Sequence, residues 1–160
     1  NREGRLKLAL QPVRDNYDFI LIDCPPSLSL LTLNALAAAD GIIVPMQCEY
    51  FALEGLSSLI KTINALKQKL NPALEIDGII RTMYDVRNNL ANAVSNELTT
   101  HFGDTVYRTL VPRNVRLAEA PSHGMSIIRY DKSSRGALAY MGLSGEVIQR
   151  MNKKSVKEKV

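Results

Sequence analysis

The four residues Phe19-Ile20-Leu21-Ile22 form an unbroken apolar run that closes on Asp23 and then meets two prolines, Pro25 and Pro26. A short run of this kind, bounded by turn residues, suits a strand buried on both faces of a parallel sheet. Proline has no N–H to offer a ladder, so the strand is predicted to stop there. Similar runs recur: Ile42-Ile43-Val44 ends at Pro45, Ile76 to Met83 is interrupted by Gly78, and Thr105 to Val111 ends at Pro112. Segments of helical spacing lie between them. Leu6, Ala9, Leu10 and Val13 mark a helix over 3–14, and residues 29–39 are rich in leucine and alanine. Leu53, Leu56, Leu59, Ile60, Ile63, Leu66 and Leu70 make one apolar stripe, with Lys61, Lys67 and Lys69 on other faces. Helices are also predicted over 88–102 and 134–151, a connecting segment over 113–123, and a short strand over 127–130. Strands alternating with helices, without hairpin signals, predict right-handed crossovers: an α/β fold with a mostly parallel sheet and flanking helices.

With 160 residues, 46% of them hydrophobic, the chain is large enough for a packed core. We expect one domain over 1–151 and a basic, frayed tail over 152–160. The net charge of +4 licenses only mild attraction to nucleic acid. No apolar stretch reaches membrane-spanning length. Cys24 and Cys48 lie in apolar segments and read as reduced, buried thiols. His101 and His123 are isolated from each other and from the cysteines, so no metal spacing exists. Ser27, Ser122 and Ser126 lack a nucleophile-elbow pattern. Asn1 is not a methionine, and the first residues read as a helix already in progress, which is the expectation for a fragment.

In open parallel sheets, ligands bind outside the carboxyl ends of the strands. Asp23 stands at such an end. A carboxylate there needs a partner, and a Mg²⁺ held by phosphates and waters is one. Capping of the next helix, or pairing with a lysine, is the other reading for an aspartate after an apolar run. Pro25 and Pro26 stiffen the loop that follows, and Ser27 either caps the next helix or bonds within a site.

Residues 17–40, YDFILIDCPPSLSLLTLNALAAAD, closely resemble the Walker-B and switch-II region of the ParA family of DNA-partitioning ATPases. RTMYDVRNNL at 81–90, VPRNVRLAEAPSHG at 111–124 and YDKSSRGALAY at 130–140 extend the resemblance in the same order, up to about Met151. The resemblance implies a P-loop NTPase-like fold, use of ATP and Mg²⁺, an ATP-dependent homodimer, sequence-nonspecific DNA binding, a ParB-type centromere-binding partner, and a cytoplasmic, nucleoid-associated protein. It implies that Asp23 holds Mg²⁺ through water and that Pro25, Pro26 and Ser27 belong to switch II. Arg87 and Arg116 match basic positions used for DNA contact, and Pro112 and Arg113 match a segment near the adenine. The chain departs from the family in one large respect: no stretch matches G-x-x-x-x-G-K-[ST], which the family places about a hundred residues before the Walker-B aspartate. The N-terminal part of the fold is therefore missing, and the chain alone is expected to be inactive.

From Arg108 to Arg135 the chain holds Arg108, Arg113, Arg116, Arg129, Lys132 and Arg135 against Glu119 and Asp131. The local excess is positive, as a phosphate-binding surface requires, although such arginines also occur as a solvated face or as salt-bridge partners. Two other functions stay open on sequence. One is a membrane-associated relative of the MinD type, for which the apolar side after Met151 is a poor anchor. The other is a non-catalytic DNA-binding module. A dehydrogenase lacks its G-x-G-x-x-G turn.

Overall fold

The computed structural model describes residues 2–25 and 27–157, with side chains through Lys153. In chain order the elements are α1 (Arg5–Leu10), α2 (Leu30–Ala38), β1 (Gly41–Gln47), α3 (Ala52–Lys69), β2 (Glu75–Tyr84), α4 (Asn89–Phe102), β3 (Val106–Pro112), α5 (Val115–Glu119), α6 (Ile127–Tyr130) and α7 (Arg135–Lys157). The strands form one sheet in the order β1-β2-β3, and β2 pairs with β3 in parallel. The chain divides into two compact units, Asn1–Ile43 with Glu54–Asp77 and Val44–Leu53 with Gly78–Val160.

In the first unit, side-chain amides tie helices together. Asn34 Oδ1 accepts from the Leu6 N–H at 3.1 Å, and Asn34 Nδ2 donates to the carbonyls of Arg2 and Leu30 at 3.0 and 2.9 Å. The Leu6 N–H lies in the first turn of α1, where no intrahelical acceptor exists, so this bond meets a real deficit. Asn71 Nδ2 donates to the carbonyls of Leu36 and Ala39 at 3.1 and 2.7 Å, holding the end of α2. Leu56 and Ile63 on α3 are buried, as its apolar stripe predicts.

In the second unit, Ile79, Leu98 and Tyr107 are fully buried, and α7 packs on β3. Asn88 caps α4, its Oδ1 accepting from the N–H groups of Leu90 and Ala91 at 3.0 and 3.3 Å. The β2–β3 register shifts between Ile79 and Arg81 and again between Arg81 and Tyr84. Arg81, 8% exposed, reaches across that irregularity. It donates to Ser95 Oγ at 2.8 Å and to the carbonyls of Tyr107 and Arg108 at 2.7 and 3.3 Å. Glu146 of α7 meets β3 as well, accepting from the N–H groups of Arg108 and Thr109 at 2.8 and 3.0 Å. Burial alone would push the Glu146 carboxyl up; those N–H groups, the Thr109 hydroxyl and Arg150 outweigh it and hold the carboxyl low.

Several expectations are corrected. Residues 19–22 are not in a strand: Leu21 is 87% exposed and the run has no ladder partner among the described residues. A parallel strand exists only where a neighbour supplies hydrogen bonds, and apolar sequence alone cannot supply them. Pro45 does not end β1, which continues to Gln47. β1 lies at an edge of the sheet, where a residue without N–H is tolerated. Residues 127–130 form a helical turn rather than a strand, and the connecting segment 113–123 contains α5. Helix α7 runs past Met151 to Lys157. Cys48 is buried as expected, but Cys24 is exposed, because its segment is unpaired.

Candidate nucleic-acid interface

The carboxyl ends of the strands meet in the second unit. The Arg113 N–H donates to the Tyr84 carbonyl at 3.1 Å, joining the end of β3 to the end of β2. A cleft of about 170 Å³ opens there, lined among others by Gln47, Cys48, Tyr84, Asp85, Asn88 and Arg113. Met83, also in its wall, has a left-handed backbone with φ of 53°, unusual for a residue with a side chain. Burial pushes the Cys48 thiol up, and the Arg81 guanidinium partly offsets this, so the thiol is not poised to act as a nucleophile.

A wider groove of about 670 Å³ adjoins the same strand ends. Its lining includes Leu110, Pro112 and Leu138 together with Arg87, Arg113 and Arg135. Three arginines thus share its lining with apolar side chains. Arg87 is the most exposed of the candidate contacts, its side chain 86% accessible. It folds back on Asp85, with Nε donating to Oδ1 at 3.0 Å and Nη2 to Oδ2 at 2.8 Å. The Arg87 backbone N–H also donates to Asp85 Oδ1 at 3.0 Å, an Asx turn. These bonds from Arg87 hold the Asp85 carboxyl at about 2, well below its ordinary value.

Arg116, 53% exposed, sits on α5. Its Nη1 donates to Glu119 Oε2 at 2.8 Å, and its Nε lies 3.6 Å from Asp131. The Tyr130 hydroxyl donates to the same Glu119 oxygen at 3.1 Å, and the Tyr130 ring stacks on His123 at 4.9 Å. The hydrogen bond from Arg116 holds the Glu119 carboxyl low; burial opposes it, and the Tyr130 hydroxyl adds a smaller lowering. Both candidate arginines are therefore salt-bridged and solvent-facing at once.

Asp23, Pro25 and Ser27 belong to the first unit and are exposed. Pro26 lies outside the described residues. Ser27 does not cap α2 with its side chain; Ser29 does, its Oγ accepting from the Thr32 N–H at 3.4 Å. The Ser27 carbonyl instead accepts from the Ser29 N–H at 2.9 Å and the Thr32 hydroxyl at 2.7 Å, which closes the turn into the helix.

The AAA domain family model matches residues 1–76. Sporulation initiation inhibitor protein Soj of Bacillus subtilis is 56% identical over 147 residues, which cover 92% of this chain and 58% of Soj. Chromosome partitioning protein ParA of Myxococcus xanthus is 53% identical over 160 residues, all of this chain and 56% of that protein. The chain is similar to the ParA/Soj chromosome-partitioning proteins over nearly all of its own length. It spans less than two thirds of the length of these relatives. Among solved structures, cobyrinic acid a,c-diamide synthase from Mycobacterium smegmatis with bound ADP and magnesium superposes with a TM-score of 0.76 at 32% identity. That match covers 95% of this chain and 55% of the synthase. The α/β fold of the chain, a parallel sheet with flanking helices, is accordingly that of the P-loop ATPases.

The family resemblance points to Arg87 and Arg116 but says nothing of the acidic groups that hold them. The Asp-Val-Arg spacing at 85–87 was a usable signal, since an aspartate two residues before an arginine readily closes an Asx turn. The Arg116–Asp131 pair had no such signal, because fifteen residues and α6 separate the partners.

Proposed function

We propose that this chain is the C-terminal part of a DNA-partitioning ATPase of the ParA/Soj type. The full-length protein dimerises with ATP, binds DNA without sequence preference, and releases it when a ParB-type partner stimulates hydrolysis. It works in the cytoplasm on the nucleoid. The observation that carries this reading is the 56% identity to Soj, which spans the segments holding Asp23, Arg87 and Arg116. Arg87 and Arg116 contact phosphates through the donors that their carboxylate partners leave free. No helix among the described residues is long and apolar enough to cross a membrane.

Asp23 is exposed, and no group of three or more His, Cys, Asp or Glu that could hold a metal occurs among the described residues. One accessible carboxylate fits a Mg²⁺ held by phosphates and waters and does not fit an all-protein cage. When bound, Mg²⁺ neutralises charge on the phosphates. In the full-length protein the resemblance assigns Asp23 to hold that ion through water, Pro25, Pro26 and Ser27 to switch II, and Pro112 and Arg113 to the segment near the adenine.

Without a glycine-rich lysine loop, the chain alone has no backbone cradle for a triphosphate. Calorimetry of the full-length protein with Mg·ATP is expected to show saturable binding, and the 160-residue chain no micromolar binding. Micromolar affinity in the chain alone, or none in the full-length protein, would contradict the reading.

A further inference from the structure

We propose that Asp85 is a built-in attenuator of DNA binding, holding Arg87 in a near-neutral pair that a phosphate must share. The inference rests on the reading of Arg87 as a phosphate contact. A guanidinium has five N–H donors. Asp85 takes the Nε edge with both of its oxygens, at 3.0 and 2.8 Å, and leaves the terminal edge open to solvent. The carboxylate is not free to swing away, because Oδ1 also accepts the backbone N–H of Arg87 within the same turn. Arg113 adds attraction to the same carboxylate. A phosphate approaching Arg87 therefore meets a fixed negative charge one side chain away, and the net charge available to displace a counterion is reduced.

The same arrangement recurs on a separate element. Arg116 is paired with Glu119, which the Tyr130 hydroxyl also holds, and Asp131 lies behind it. Two exposed arginines on different elements each carry a carboxylate fixed by a further hydrogen bond. An acid beside such an arginine either orients it for phosphate or lowers the charge it offers, and the second serves a surface that must release DNA.

The test is a double-mutant cycle in the full-length protein with ATP, using fluorescence anisotropy on a random-sequence duplex at several KCl concentrations. Asp85→Asn removes the charge but keeps an oxygen to accept the Arg87 N–H, so the turn persists. D85N is expected to tighten binding about two- to five-fold and to steepen the salt dependence. R87A is expected to weaken binding, and D85N to give no gain in the R87A background. Unchanged or weaker binding in D85N, with R87A weakened, would overturn the proposal and make Asp85 a residue that positions the arginine for DNA. An equal gain in the R87A background would also overturn it, since the effect would then be one of general charge. If R87A alone leaves affinity and salt slope unchanged, the reading of Arg87 as a DNA contact fails, and the proposal falls with it.

Discussion

Gly78→Ala is expected to be among the most damaging single substitutions in this chain, lowering stability by about 3 kcal/mol. A Cβ added at Gly78 would clash with the Cε2 edge of the Tyr107 ring, whose side chain is fully buried. The ring cannot retreat, because the Arg150 guanidinium covers it at 4.0 Å from the centroid. Arg150 is itself held by the Val106 carbonyl at 2.8 Å and by Glu146 at 2.9 Å. Relief of the overlap must therefore come from moving β2 away from β3. Urea unfolding of the parent and G78A chains measures the cost. Shortening the ring should recover part of it, so G78A/Y107L should lose less than the sum of the single variants. A G78A loss below about 1 kcal/mol would show that the ring has room to move.

Arg81→Ala is expected to cost a comparable amount, about 3 kcal/mol, for a different reason. The substitution removes the Arg81 donors from Ser95 Oγ and the Tyr107 carbonyl and opens a void at the register shift. Arg81→Met fills most of that volume without the donors, so it should fall between the parent and R81A. The two variants thus divide the cost between packing and hydrogen bonding. Removal of the guanidinium also removes the influence that offsets burial at Cys48, so the thiol in R81A should react more slowly with a disulfide reagent than in the parent measured while folded. R81A with parental stability would mean that the β2–β3 irregularity does not depend on this side chain.

Much of the architecture was legible in the residues. The helical stripe over 52–70, the helix over 88–102 and the run ending at Pro112 each follow from a local rule, of period or proline, that tertiary context left intact. Two of the misreadings share one cause. Phe19-Ile20-Leu21-Ile22 has the composition of a buried strand, but strand formation depends on a neighbour, and pairing is not written in a single run. Pro45 illustrates the same point from the other side, because whether proline ends a strand depends on which edge faces a partner. Ile127 to Tyr130 was too short for period to separate a helical turn from a strand. At the candidate interface, the arginines were legible through family resemblance. Of their acidic partners, Asp85 was open to reading from its spacing to Arg87, whereas Asp131 was visible only as a counted charge, since an ion pair across α6 is a product of the fold.

The central claim is that Arg87 and Arg116 carry sequence-independent DNA binding in the full-length protein. The most direct measurement is the affinity of R87A/R116A for unrelated duplexes across a series of salt concentrations, with ATP present. The account predicts weaker binding to every duplex, by about ten-fold or more at low salt, and a salt slope smaller by about two units, one for each lost phosphate contact. Parental affinity with a parental slope would contradict it.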